Sequence, residues 1–183
     1  QRLIKFLIKN SSVFKKNLRK IRNLEINQVS FLAKIPLIIS VISRFLVHKL
    51  SSAFLWPSIL KQLCGEKLKF PINGGGALPE HVDLFFESLG IDVLVGYGLT
   101  ETSPVLTCRR RELNVRGSSG QPLAFTEIKI MNEEKDEILR FREIGKILVK
   151  GPQVMKGYLN NVSATNDVLS KDGWFDTGDL GFL

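Results

Sequence analysis

The stretch "KLKFPINGGGALPEHVDLFFESLGIDVLVGYGLTE", Lys67 to Glu101, decides the fold class. "KLKFPI" alternates apolar and polar residues as a strand does, and it runs into three consecutive glycines. "LPEHVDLFFESLG" predicts a short helix. Pro79 suits its first turn, Glu80 and Asp83 complement the positive dipole end, and Gly90 is a natural stop. Val82, Phe85, Phe86 and Leu89 would form its buried face. "IDVLVG", Ile91 to Gly96, has the length and composition of a buried parallel strand. Strand, loop, helix, strand is a βαβ unit, so the fold class is α/β. That arrangement puts "GGG" and "GYGLTE" at the carboxyl ends of neighbouring strands, the edge where open α/β sheets bind ligands.

Working outward, residues 1–63 read as helical. Leu3, Ile4, Leu7, Ile8, Phe14, Leu18 and Ile21 recur near a 3.6 spacing with bases between them, and Pro36 and Pro57 mark helix boundaries. The apolar run Ile35–Val47 is 13 residues long and holds Arg44. It is too short and too charged to span a bilayer and predicts a buried or interfacial helix. No signal-peptide pattern is present. After Leu113 the pattern becomes antiparallel, with "TEIKIM" and "GKILVKG" as alternating strands joined by the charged "NEEKDEILRFREI". "SATNDVLS" predicts a short helix with Ser163 as N-cap, and "GWFDTGDLGFL" a hairpin turning at Thr177 to Asp179. The segments are thus a basic helical part (1–63), a βαβ core (64–112) and a β-rich part (113–183).

Bulk properties narrow the function classes. Hydrophobic content of 44% with 24% charged residues is that of a globular protein with a core. The net charge of +8 is uneven: residues 1–25 carry +7, with eight bases against Glu25, and the rest carry +1. A nucleic-acid surface would rest on those 25 residues alone, and no aromatic interleaving supports one there. They read first as the solvated face of a helix, with a basic surface lying on anionic lipid as the alternative. Cys64 and Cys108 lie 44 positions apart with no CxxC pattern, which suits a reducing compartment and argues against zinc or a disulfide framework.

The chemistry concentrates in two short motifs. Glycines without side chains let a planar base lie against the backbone, although "GGG" taken alone would also serve merely to turn the chain. Tyr97 offers an aromatic face, Thr100 a hydroxyl, and Glu101 a carboxylate suited to Mg²⁺. Each also has a bland reading, Tyr97 as a half-buried packing residue and Glu101 as a solvated loop acid.

"GKILVKGPQVMKGYLNN" (Gly145–Asn161) and "GWFDTGDLGFL" (Gly173–Leu183) complete an ordered set with these motifs. The whole resembles the adenylate-forming, AMP-binding superfamily nearly continuously from Lys67 to Leu183. "INGGGALPEHVDLFFESLGIDVLVGYGLTETSP", "RGSSGQPLAFTEIKI" and "GPQVMKGYLNN" are similar to its long-chain fatty acid branch, of cyanobacterial and plastid type. "LWP" (Leu55–Pro57) resembles the segment preceding the glycines there. The resemblance implies part of the large N-terminal domain of such an enzyme. It also implies a reaction in two halves. A fatty carboxylate attacks the α-phosphorus of ATP to give acyl-AMP and pyrophosphate; a thiol, of CoA or an acyl-carrier-protein phosphopantetheine, then displaces AMP.

Carried over by motif, Gly74, Gly75 and Gly76 line the adenine pocket and Tyr97 stacks on the base. Thr100 bonds the α-phosphate, Glu101 helps hold Mg²⁺, and Asp179 accepts the ribose hydroxyls. Gly96 and Gly98 leave room for the acyl chain and reacting carbonyl, with Trp174 and Thr177 as pocket walls. Ala124 and Phe125 stand where the family usually has Pro-Gly, a change of turn rather than of site. The family's phosphate loop with its lysine and its small C-terminal domain have no counterpart in these residues. With a chain opening on Gln1 and closing in "DLGFL", that implies a fragment with little activity alone. The competing expectations are an inactive remnant, another acid-activating relative, and a membrane-surface module driven by residues 1–25. The expected location is the cytoplasm or plastid stroma, with peripheral membrane contact through residues 1–25.

Overall fold

Parallel pairing joins Ile72 to Leu94 and Asn73 to Val95. The strand–loop–helix–strand reading therefore holds in the computed structural model, which describes residues 2–23, 29–65 and 67–183. Glu25, the one acid of the basic segment, lies outside the described residues. The chain divides into two units, Gln1–Gly96 with Arg109–Gly120, and Tyr97–Cys108 with Gln121–Leu183. This division follows spatial contacts, so its cuts differ from the sequence segments 1–63, 64–112 and 113–183.

In the first unit, helix α1 (Arg2–Arg22) packs along α2 (Lys34–Leu50). α2 runs on through a π-helical turn, Ser51–Leu55, into α3 (Trp56–Cys64). Pro57 lies in the first turn of α3, so it marks the change from π-helical turn to α-helix and not a break in the chain's helical path. A proline in a regular helix clashes with the carbonyl four residues back, and the wider π turn just before it relieves that clash. The continuous helix Lys34–Cys64 has 31 residues and is long and apolar enough to cross a membrane, so the 13-residue run was only its apolar heart. No residue of α2 is buried, so of the two readings, a buried or an interfacial helix, the buried one does not hold.

The α1–α2 seam is polar. Asn17 Nδ2 donates to Ser40 Oγ at 2.9 Å, and His48 Nδ1 lies 3.0 Å from Ser11 Oγ. Phe14 stacks on His48 with ring centroids 4.4 Å apart. Ile38, Ile39, Ile42 and Leu46 point outward, as do Leu3, Ile4 and Phe6 of α1. Of the apolar residues read at helical spacing on α1, Phe14 is buried.

The βαβ element follows: β1 (Ile72–Asn73), α4 (Glu80–Ser88) and β2 (Leu94–Tyr97). β1 is shorter than "KLKFPI" suggested, because Lys67 to Phe70 are exposed and unpaired as a strand. Val93, Leu94 and Val95 are buried as a parallel strand requires. On α4 the expected apolar face is largely wrong. Leu89, just past the helix, is buried, but Phe85 is exposed, and the buried helix residues are Asp83, Glu87 and Ser88. Asp83 and Glu87 stand four apart on one face and meet guanidinium groups. Asp83 binds Arg109 Nη1 at 2.9 Å and also Arg116, while Glu87 pairs with Arg19. Charge pairing, not apolar burial, seats this helix. Glu80 and Asp83 both stand in the first turn as read, and Glu80 is exposed, 2.9 Å from Lys16 Nζ.

The second unit is antiparallel. It holds the short pair β3 (Thr107–Cys108) and β4 (Gln121–Pro122), and a sheet of β5 (Glu127–Met131), β6 (Gly145–Lys150) and β7 (Phe175–Gly181). Its core is Leu106, Val149 and Phe175, with Ile128, Ile147 and Val168 against it. Burying side chains of this size contributes roughly 1.5–3 kcal/mol each. Helix α5 (Val162–Val168) is capped by Asn161, whose Oδ1 accepts from Ala164 N at 3.0 Å. Ser163 lies inside the helix and is not its cap.

Two turns depart from expectation. "GWFDTGDLGFL" is not a hairpin: β7 is one strand along β6, and the register jumps from Lys146↔Leu180 to Leu148↔Asp176. Thr177, Gly178 and Asp179 thus oppose Ile147 alone, a bulge that leaves Asp179 outside the ladder. Phe125 sits at φ +63° in the turn before β5. An L-residue there costs roughly 1–2 kcal/mol, so the glycine the family uses at this place has a conformational reason.

Candidate functional site

The glycine triplet belongs to the first unit and is exposed. Gly75 has φ +76°, and a Cβ on Gly75 or Gly76 would meet nothing within 4 Å. These glycines are thus not forced by packing. The loop is an open backbone surface, across which Asn73 Nδ2 donates to Gly76 O at 3.0 Å.

Apart from Gly96, the remaining expected residues belong to the second unit, where Tyr97 meets Asp179 and Glu101 meets Tyr158. Tyr97, at the end of β2, donates its hydroxyl to Asp179 Oδ2 at 2.7 Å across 82 residues of sequence. The bulge makes this possible. Thr177 is buried and donates to Ile147 O at 2.9 Å, and Asp179 N donates back to Thr177 Oγ1 at 3.2 Å. Gly178 takes the intervening left-handed conformation, φ +73°. Thr177 therefore shapes the bulge. The Tyr97 hydroxyl is pushed up to about 12, first by burial and then by Asp179, with the Thr177 hydroxyl acting the other way. It stays protonated and donating at neutral pH.

The second pair is Glu101 with Tyr158. Thr100–Thr102 forms a 3₁₀ turn after β2. Thr102, fully buried, pins it: its Oγ1 accepts from Leu99 N at 3.0 Å and donates to Leu99 O at 2.9 Å. That presents Thr100 to solvent and directs Glu101 toward the Met155–Tyr158 segment. Met155 N donates to Glu101 O at 2.8 Å, and Tyr158 Oη donates to Glu101 Oε1 at 2.9 Å. The Tyr158 hydroxyl is raised, chiefly by that hydrogen bond.

Gly98 lies between the two pairs in sequence. A Cβ there would come within 1.9 Å of Pro104 O, so the backbone of the next loop already excludes a side chain. Its lack of a side chain has a packing cause in addition to any ligand.

A cation fits at Glu101 in one respect. Oε1 is engaged and no hydrogen bond or ion pair among the described residues takes Oε2. Among those residues no group of three His, Cys, Asp or Glu side chains could hold a metal. An ion here would take most ligands from phosphate and water, as magnesium ordinarily does.

Reading the sequence missed Tyr158 and Thr102. Tyr158 stood inside the quoted "KGYLNN" without a role, and nothing in a one-dimensional pattern ties it to an acid 57 positions earlier.

A family model described as "AMP-binding enzyme" matches residues 10–159. The chain is 45% identical over 159 residues to the chloroplastic long-chain-fatty-acid–[acyl-carrier-protein] ligase AEE15 of Arabidopsis thaliana, covering 82% of this chain and 22% of that protein. It is 43% identical over 118 residues to a long-chain-fatty-acid–CoA ligase of Bacillus subtilis (strain 168), covering 63% and 21%. The solved structure of o-succinylbenzoate coenzyme A synthetase (MenE) of Bacillus subtilis with ATP and magnesium ion is similar at a TM-score of 0.60. Identity there is 36%, over 70% of this chain and 27% of that one. The chain spans about a fifth of the length of the curated relatives it matches.

Proposed function

Because the chain belongs to the AMP-binding enzyme family, we propose that it forms part of an ATP-dependent fatty acid ligase. Such an enzyme activates a long-chain fatty acid as acyl-AMP and passes the acyl group to the thiol of CoA or of an acyl-carrier protein. The observation that carries this is the Tyr97–Asp179 pair: an aromatic face and an exposed carboxylate held together at 2.7 Å. Base stacking by Tyr97 and acceptance of two vicinal ribose hydroxyls by Asp179 use complementary surfaces of one nucleoside. Thr100 offers a solvent-facing hydroxyl to the α-phosphate. Glu101 would hold Mg²⁺, which when bound neutralises phosphate charge. The long-chain substrate and the choice of CoA or carrier protein rest on what the two ligases above are named for. The plastid stroma is proposed because AEE15 is chloroplastic, and the cytoplasm is the alternative.

Calorimetric titration of the 183-residue chain with a non-hydrolysable acyl-AMP analogue tests the reading. Saturable binding is expected, weakened about tenfold or more by Asp179→Ala, since hydrogen bonds to a charged group are worth ~1.5–3 kcal/mol. No binding by a folded chain would leave a remnant without nucleotide affinity.

The α1–α2 pair supports peripheral contact with an anionic membrane. Its polar groups face the seam, its apolar side chains face outward, and Lys5, Lys9, Lys34 and Lys49 accompany them. A long-chain acid partitions into lipid, so such contact would deliver substrate. Co-flotation with vesicles containing phosphatidylserine should fall when salt is raised; binding only to neutral vesicles, or none, would sink this reading.

A further inference from the structure

We infer that Tyr158 is the positioning residue for the Glu101 carboxylate, setting which of its oxygens is presented to a nucleotide-bound divalent cation. The inference rests on the proposed role of Glu101 as the cation's protein ligand, and adds a residue that neither the motif reading nor the relatives' names assign.

Glu101 is gripped twice by one short segment. Met155 N holds its carbonyl at 2.8 Å, and Tyr158 Oη holds Oε1 at 2.9 Å. Tyr158 is itself fixed from behind. Its backbone N donates to Thr165 Oγ1 at 2.9 Å, and that hydroxyl donates to Asn161 O at 2.8 Å. Gly157, at φ +145°, is the other half of the fixture. A Cβ there would stand 2.8 Å from Thr165 Cγ2, so only glycine lets the strand-to-helix turn close on α5. Asn161 caps that helix. The run from Gly157 to Thr165 is therefore a small hydrogen-bonded bracket that holds the Tyr158 phenol against the Glu101 carboxylate.

Chemically, a carboxylate with one oxygen engaged by a neutral donor keeps its charge and offers the other oxygen in a fixed direction. A freely rotating glutamate would lose that direction and pay side-chain entropy on binding an ion. Such hydrogen bonds behind a metal ligand are commonly worth 10–100-fold in metal affinity.

The experiment compares nucleotide binding by the 183-residue chain and its variants with and without metal. AMP in EDTA reports the nucleoside pocket alone; ATP with increasing Mg²⁺, or with Mn²⁺ followed by electron paramagnetic resonance, reports the cation. Tyr158→Phe keeps the ring and should leave AMP binding in EDTA within twofold of the parent. It should raise the Mg²⁺ concentration needed for half-maximal ATP binding about tenfold. Glu101→Gln should abolish the Mg²⁺ enhancement in both backgrounds, so that Tyr158→Phe has no further effect on it. Full Mg²⁺ enhancement in Tyr158→Phe, with Glu101→Gln defective, overturns the inference and leaves the ligase reading standing. A parent chain that binds AMP but shows no Mg²⁺ enhancement overturns it too. Failure of the parent to bind AMP sinks the nucleotide-site reading, and this inference with it.

Discussion

Replacing Asp83 with alanine is expected to cost about 3–5 kcal/mol, the range for removing one partner from a buried ion pair. Asp83 is 5% exposed and lies between two guanidinium groups, Arg109 at 4% and Arg116 at 8%. Its two oxygens are divided between them, Oδ2 to Arg109 and Oδ1 to Arg116. Alanine would leave two buried cations facing an empty space. Arg116 retains Asp92 at 3.1 Å and Glu87 at 3.6 Å, so part of its charge stays compensated, and Arg109 Nε still donates to Ser118 O at 2.7 Å. Urea unfolding followed by far-ultraviolet circular dichroism reads the loss. Asp83→Asn, which keeps the shape and one acceptor, should fall between the parent and alanine. A loss below 1 kcal/mol for Asp83→Ala would mean that water reaches this cluster and screens it.

Gly98→Ala is the second large effect, expected to cost about 3 kcal/mol as an overpacking change in a rigid surround. The new Cβ would stand 1.9 Å from Pro104 O and 2.9 Å from both Pro104 C and Val105 Cα. These are backbone atoms, so no rotamer change relieves the overlap. The loop cannot swing away cheaply. Thr102 Oγ1 ties it to Leu99 and, at 3.1 Å, to Pro104 O, and Leu106 N donates to Tyr97 O at 2.8 Å. Leu106 is fully buried in the core. The same strain would displace Tyr97 and Glu101, which flank this loop, so binding of an acyl-AMP analogue should fall with stability. Unchanged thermal unfolding together with lost binding would instead show that Gly98 serves the ligand and not the loop.

Much of the site was legible as chemistry but not as geometry. "GYGLTE" offered an aromatic ring, a hydroxyl and a carboxylate, and the family resemblance added the carboxylate of "TGD". Their partners were not legible. The bond from Tyr97 to Asp179 depends on a bulge in β7, and a hairpin read from "DTGD" was the wrong use of the same glycine. Gly178 signalled a left-handed residue either way. Only the register against β6 distinguishes a reversal of the chain from a bulge within it. The helical cap was misread for a related reason: Asn161 and Ser163 are both good caps, and the turn closed by Gly157 on Thr165 selects the first.

By itself the sequence determined the α/β class, the βαβ order around the glycines and the antiparallel character of β5 and β6. Each follows from local periodicity and glycine or proline placement, which act over a few residues. Tertiary structure alone decided which faces are buried. On α4 the apolar residues Val82, Phe85 and Phe86 pointed one way by hydropathy, yet Asp83 and Glu87 are inside, because Arg19, Arg109 and Arg116 arrive from distant parts of the chain to neutralise them. Hydropathy ranks a side chain as if its surroundings were average. A carboxylate met by guanidinium groups is not in average surroundings, and that meeting exists only once the chain has folded.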